Sequence, residues 1–138
     1  MRAGDFMDNF KFKIYYEDTD AEGIVYYANY LKYFERARTE LIYDIGLNHK
    51  KIYENFGLRI VVKGCKIDFK KPAVFEDHLE VETKIIKISL VRIKMLQKII
   101  KNTEILVSGE IDLVTINNKG SPKKMPKELF DCFNNSIS

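Results

Sequence analysis

Four carboxylates fall within six residues near the start of this sequence: Glu17, Asp18, Asp20 and Glu22. Like charges at this spacing repel one another, so the segment either faces water or serves a site that compensates them. A carboxylate can act as a general base or as a nucleophile. Proton abstraction and acyl transfer are therefore the kinds of chemistry that this segment could carry.

Two non-catalytic interpretations also fit the acidic segment. One is a solvated loop before a helix, where the helix macrodipole favours negative charge. The other is calcium binding, because residues 18–23 match the first six positions of an EF-hand loop, with Gly23 in the required sixth place. The calcium match is incomplete, since position twelve is Asn29 instead of a bidentate Glu and the preceding segment has a strand pattern.

A third interpretation combines an aspartate with the end of a helix. Backbone N–H groups at the exposed N-terminus of a buried helix are unpaired and can polarise a carbonyl oxygen. Other hydrolase signatures are missing, because there is no GxSxG motif and neither His49 nor His78 has a Ser or Cys partner close in sequence. Carboxylate chemistry is the enzymatic interpretation that the motifs support.

The acidic segment lies between a predicted strand and a predicted helix. Residues 10–16 alternate apolar and polar side chains, which is typical of a strand. From about Ala28 the apolar residues recur at spacings of three and four, which predicts an amphipathic helix that ends near Gly46. Asn48 is a suitable N-cap for a second, shorter helix that ends at Gly57.

The remaining chain predicts strands and one last helix. Strand patterns cover residues 58–69, 79–88, 90–100 and 105–116, and a short helix begins near Pro126. One long helix followed by a run of antiparallel strands predicts an α+β fold in which the helix covers one face of the sheet. Residues 90–100 carry apolar side chains on both faces, and open sheet edges invite pairing, so we expect a dimer or tetramer.

The composition is that of a globular protein and excludes several classes. The 138 residues are 46% hydrophobic and 31% charged, which suits one domain spanning 1–138. No apolar run approaches the roughly 20 residues of a membrane span, and the first ten residues have no signal-peptide pattern. The net charge of +3 comes from scattered lysines, which does not indicate a nucleic-acid surface. We expect a cytoplasmic protein with reduced cysteines and no metal or other cofactor.

Several segments of the chain resemble the 4-hydroxybenzoyl-CoA thioesterase family of hotdog-fold enzymes. They are YEDTD at 16–20, GIVYY at 23–27, NY at 29–30 and ERAR at 35–38, followed by DFKKPA at 68–73 and Asp77. The branch they resemble is that of the YbgC-type acyl-CoA thioesterases associated with the Tol-Pal system. The resemblance implies a five-stranded antiparallel sheet wrapped around the helix that begins near Ala28, in dimers or tetramers with active sites at the subunit interface.

The resemblance also implies an activity and the residues that carry it. The expected reaction is hydrolysis of an acyl-CoA or acyl-ACP thioester, without a cofactor. The family's catalytic carboxylate falls on Asp20, and its oxyanion donor falls on the backbone N–H of Tyr27. Many members of the branch carry His where this chain has Tyr27, but a backbone donor survives that change. The rival interpretation is a non-catalytic acyl-chain or acyl-carrier-protein binding module of the same fold, in which Asp20 caps the helix.

Further residues are expected to bind the substrate. Tyr30 should help to set the depth of the acyl pocket. For the phosphates of CoA, the family places basic residues at the start of the strand containing Ser89, which suggests Lys87; a solvated lysine at a strand end is the alternative. Helical spacing explains Glu35 by an ion pair with Arg38, as it pairs Arg36 with Glu40, and a Glu35 that faces the pocket is the other possibility.

Overall fold

The structure is a computed structural model that describes residues 9–137. The polar leader expected from the sequence, Met1 to Asp8, lies outside the described residues, as does Ser138. The described chain contains five strands and three α-helices. In chain order they are β1 (Phe10–Lys13), α1 (Asn29–Asp44), α2 (His49–Phe56), β2 (Arg59–Phe69), β3 (His78–Ile88), β4 (Arg92–Lys101), β5 (Glu104–Ile116) and α3 (Lys127–Asn134).

The strands form one antiparallel sheet in the order β1-β3-β4-β5-β2. β4 and β5 are joined by a tight turn in which Asn102 has a φ of 58°, a left-handed conformation that asparagine tolerates. β1 and β2 are the edge strands, and they differ in length, with 4 and 11 residues. The predicted α+β fold is therefore confirmed. The strand order could not be read from the sequence pattern, because β1 pairs with β3 and β2 pairs with β5.

α1 packs on one face of the sheet because its apolar residues form one stripe. Its buried residues are Tyr30, Tyr33, Phe34, Ala37, Leu41 and Ile42. The helix packs tightly on the sheet at Gly109 of β5, where an added Cβ would lie 3.2 Å from the Phe34 ring and 3.0 Å from Ile67. α2 begins and ends as expected, with the Asn48 side chain accepting the Lys51 N–H and Gly57 in a left-handed conformation.

The first strand is shorter than the sequence pattern predicted. It ends at Lys13, and Tyr16–Asp18 forms a turn of 3₁₀-helix. The Asp18 carboxylate accepts the Tyr15 N–H at 2.9 Å, and the Tyr15 carbonyl accepts the Asp18 N–H at 3.0 Å. These two bonds close the chain into a turn, which alternation of side chains cannot reveal.

No helix within residues 9–137 is both long and apolar enough to cross a bilayer. The longest, α1, has 16 residues.

Candidate active site

Asp20 lies at the first position of a tight turn between the first strand and α1. The Asp20 N–H donates to Ile24 at 2.9 Å, and the Gly23 N–H donates back to the Asp20 carbonyl at 3.0 Å. Gly23 has a φ of 80°, which glycine adopts without strain. Thr19 and Val25 pair antiparallel and complete this hairpin. We refer to residues 19–25 as the motif hairpin.

The carboxylates of Asp20 and Asp18 have different surroundings. One oxygen of the exposed Asp20 carboxylate accepts the Glu22 N–H at 2.8 Å, and the other forms no hydrogen bond with any described residue. The half-buried Asp18 is bound into the fold. Its carboxylate accepts the Tyr15 N–H at 2.9 Å, and its carbonyl accepts the Asn29 side-chain amide at 2.9 Å. Asp18 is thus half-buried and bonded into the fold through its carbonyl and carboxylate, whereas Asp20 presents its carboxylate to solvent.

The N-terminus of α1 leaves backbone donors without partners. The Tyr26 N–H donates to the Asp18 carbonyl at 3.1 Å, and the Asn29 N–H donates to Tyr26 at 2.9 Å. Among the described residues, the N–H groups of Tyr27 and Ala28 have no acceptor. Ala28 is the N-cap and has no side chain that could bond them. This helix end can therefore offer two amides to the oxygen of a ligand.

Residues 73–75, at the end of the family-like DFKKPA segment and just after it, pack against the motif hairpin. The Val25 N–H donates to Ala73 at 2.9 Å, the Phe75 N–H donates to Gly23 at 3.3 Å, and Ile24 pairs with Val74. Segments about fifty residues apart in the chain are thus joined at the site.

An aromatic cavity of about 230 Å³ opens beside the helix end. The Tyr30 ring lies 5.7 Å from that of Phe69, and the Tyr27 ring lies 6.3 Å from Phe69. Tyr30 is buried and its hydroxyl accepts the Ala73 N–H at 3.0 Å, while burial raises the pKa of Tyr30. The residues that line the cavity are Ile24, Val25, Tyr27, Tyr30, Phe69, Lys70, Lys71 and Pro72.

The ion pairs expected within α1 do not form. Glu35 is exposed, and its carboxylate accepts the Thr39 hydroxyl at 3.1 Å. Arg38 turns toward the sheet and donates to Gln97 at 3.0 Å. Burial lowers the pKa of Arg38, and the charge of Glu35 partly opposes that effect. The predicted Glu35–Arg38 pair is therefore wrong, because each group bonds another partner. The predicted Arg36–Glu40 pair is also absent from the ion pairs of the described residues. Glu35 does not line the aromatic cavity of this chain.

Gln97 anchors a polar contact that the sequence did not indicate. It is fully buried on β4, and its side-chain amide donates to the Phe34 carbonyl at 2.9 Å and the Thr83 hydroxyl at 3.0 Å. The sequence does place a glutamine at an apolar position of the strand pattern, and this could have indicated a buried polar contact.

Lys87 and Ser89 lie together, but far from Asp20. A cavity of about 190 Å³ is lined by both, with Arg92, Lys94 and Asp112. This cavity lies at the opposite end of β3 from Asp77, a separation of about 30 Å at the usual rise per residue. Arg92 and Lys94 were missed because the strand register, which sets Lys87 opposite Lys94, was needed to group them.

The acidic residues do not assemble a metal site in the part of the chain that the structure covers. Among residues 9–137, no group of three or more acidic, histidine or cysteine side chains is close enough to hold a metal ion. The arrangement instead sets one free carboxylate oxygen near an uncapped helix end and an aromatic cavity. Such groups suit attack on a carbonyl whose oxygen gains charge.

Known proteins resemble this chain over most of its length. A family model described as the thioesterase-like superfamily matches residues 15–133. The acyl-CoA thioesterase YbgC of Haemophilus influenzae is 36% identical, with 91% of this chain and 93% of that protein aligned. The YbgC enzyme of Helicobacter pylori strain 26695 is 35% identical, with 88% and 96% aligned.

A solved structure shows the same fold. The probable thioesterase from Bartonella henselae superposes with a TM-score of 0.82 at 33% identity, covering 86% of this chain and 98% of that one. The sheet wrapped around α1 and this similarity confirm the predicted hotdog fold.

Proposed function

This chain belongs to the thioesterase-like superfamily, and we propose that it hydrolyses acyl-CoA thioesters to a free acid and CoA. The observation that carries this proposal is the free carboxylate oxygen of Asp20 in the hairpin that leads to the unpaired Tyr27 and Ala28 amides. The YbgC relatives, which are named for this activity, support it.

In the proposed reaction, the Asp20 carboxylate serves as general base or as nucleophile in the attack on the thioester carbonyl carbon. It either removes a proton from the attacking water or attacks directly to give an anhydride that water then opens. The Tyr27 N–H donates to the carbonyl oxygen as it becomes negative. The sulfur leaves as a thiolate, a weak enough base to depart without a strong acid. The acyl group occupies the aromatic cavity against Tyr30.

Binding of the CoA phosphates is proposed for the basic cavity that contains Lys87, Ser89, Arg92 and Lys94. Its three cations offer charge-assisted hydrogen bonds to phosphate oxygens. Since this cavity lies at the far end of the sheet from Asp20, one copy of the chain cannot present both to one CoA molecule. The proposal therefore requires a second copy, so that each substrate is shared between two subunits.

The binding-module alternative makes a different demand on Asp20. In that interpretation Asp20 caps α1, yet its carboxylate bonds the Glu22 N–H within its own turn, and the helix N-cap is Ala28. The geometry favours the enzyme.

Steady-state hydrolysis of an acyl panel, carried on CoA and on acyl carrier protein, tests the proposal. We expect saturable turnover of at least one acyl-CoA, with slower turnover of the same acyl group on the carrier protein. Tight binding of acyl chains without turnover of any thioester would favour the binding module.

We also propose that the protein works in the cytoplasm, which its two free cysteines, Cys65 and Cys132, support. Fractionation of its host cells should recover it with cytosolic markers, and recovery in an oxidising compartment would contradict this.

A further inference from the structure

A buried carboxylate that the proposed reaction does not use lies in the turn behind the motif hairpin. Asp77 is 9% exposed. One of its carboxylate oxygens lies 2.8 Å from the Lys101 ammonium, and the other accepts the Val74 N–H at 2.9 Å. Lys101 is the last residue of β4, next to the tight turn into β5. The pair therefore ties the turn at residues 74–77 to the end of the central β4–β5 hairpin.

The turn that Asp77 closes is held in a conformation that it would not adopt freely. Glu76 has a φ of 72°, in the left-handed region that residues with a side chain seldom occupy. Such a conformation persists where surrounding contacts determine it. Two bonds to the chain after β1 contribute, since the Ile14 N–H donates to Asp77 at 2.9 Å and the Glu76 N–H donates to Ile14 at 3.0 Å.

The same turn supports the motif hairpin directly. Ala73 accepts the Val25 N–H at 2.9 Å, and its own N–H donates to the Tyr30 hydroxyl at 3.0 Å. A shift of this segment would move Val25, two residues before the Tyr27 amide, and the wall of the aromatic cavity. The path of contacts runs from Lys101 through Asp77 and the 73–75 segment to the site.

We propose that Asp77 and Lys101 are a positioning pair that sets the Tyr27 amide relative to the Asp20 carboxylate. This inference rests on the proposed function, but it assigns a role to residues that touch no substrate. Charge is needed in both members, because the carboxylate of Asp77 is largely removed from water and Lys101 is the cation paired with it. Loss of the pair should loosen the hairpin and slow the chemical step more than binding.

The test compares three variants with a matched control. Lys101→Met and Asp77→Asn remove one charge of the pair, and Lys101→Arg keeps it. Lys50→Met removes a lysine from the exposed pair with Glu54 on α2 and is the control. We expect kcat to fall about tenfold in the first two, with KM changed less than about twofold. Lys101→Arg should recover most of kcat, and Lys50→Met should match the wild type.

Amide hydrogen exchange supplies a readout that does not depend on turnover. Peptides covering residues 19–28 and 73–77 should exchange faster in Lys101→Met than in the wild type or in Lys50→Met. Unchanged kcat and unchanged exchange in Lys101→Met would overturn the proposal, and so would a lower melting temperature with unchanged kcat. If the wild type hydrolyses no thioester, the proposed function fails. Unchanged hydrogen exchange in Lys101→Met would independently refute the positioning role of Asp77 and Lys101.

Discussion

Asp18 and Asp20 lie two positions apart, but Asp18 is half-buried and bonded into the fold, whereas Asp20 is exposed. The carboxylate of Asp18 accepts the Tyr15 N–H, and the Asp18 carbonyl accepts the Tyr26 N–H. Asp20 uses one oxygen to hold its own turn and leaves the second free among the described residues. The sequence distinguishes them only through the family resemblance, because both sit in an equally acidic segment.

Tyr33 provides a pH-dependent prediction at the scale of one residue. Its hydroxyl is buried and forms no hydrogen bond within residues 9–137. Burial, and then the negative charge of Asp18, raise the pKa of Tyr33 well above 10.0. Above pH 10 the unfolded state therefore binds fewer protons than the folded state, so the free energy of unfolding falls as pH rises.

We expect Tyr33→Phe to weaken that alkaline loss of stability. At neutral pH the variant should be within about 1 kcal/mol of the wild type or more stable, because it removes an unsatisfied buried hydroxyl. Urea unfolding at about pH 8 and about pH 11 measures both effects. Tyr43→Phe, at a side chain that is 51% exposed, is the control. An equal alkaline loss in Tyr33→Phe and the wild type would contradict the assignment.

At the scale of elements, the packing of α1 on the sheet depends on Gly109. An added Cβ would lie 3.0 Å from the Ile67 side chain and 3.2 Å from the Phe34 ring. Because both neighbours are packed between helix and sheet, Gly109→Ala should lower the free energy of unfolding by about 1–3 kcal/mol. Chemical unfolding at a fixed protein concentration measures the change.

Gly64→Ala is the matched control for that substitution. It also lies within a strand, but an added Cβ there would meet nothing within 4 Å. Equal destabilisation by the two substitutions would show that loss of strand glycine, and not contact with α1, is responsible.

Periodicity predicted most of the helices and strands because each of these patterns is local. The end of β1 was missed because two bonds around Tyr15 and Asp18 decide it. The partners of Arg38 were missed because Gln97 lies 59 residues away. For the site, the resemblance indicated Asp20 and the Tyr27 amide, whereas strand register was needed to group Lys87 with Arg92 and Lys94.

At the scale of the whole molecule, the open edge of β2 fits a two-fold assembly. Its Phe69 end lies at the aromatic cavity, and its Arg59 end lies at the same end of the sheet as the basic cavity. Antiparallel pairing of two β2 strands would set the Arg59 end of one copy beside the Phe69 end of the other. This pairing would bring the two kinds of cavity toward each other.

Charge placed on that edge should therefore dissociate the protein. Val62 on β2 is 48% exposed. Val62→Lys should lower the molar mass in solution toward that of the monomer, and turnover should fall as the assembly dissociates. Ile86→Lys, at a position on β3 that is 39% exposed, is the control and should keep the dimer or tetramer. Light scattering at micromolar concentration measures the mass. A fully active wild-type monomer would refute the shared site.

Release of free thiol from acyl-CoA by the wild type, Asp20→Asn and Asp18→Asn measures whether Asp20 carries the chemistry. The asparagine in Asp20→Asn keeps an oxygen for the Glu22 N–H, so the turn should persist while the base or nucleophile is lost. We predict that kcat falls at least about a hundredfold in Asp20→Asn with little change in KM, and far less in Asp18→Asn. Equal kcat in Asp20→Asn and the wild type would contradict the mechanism.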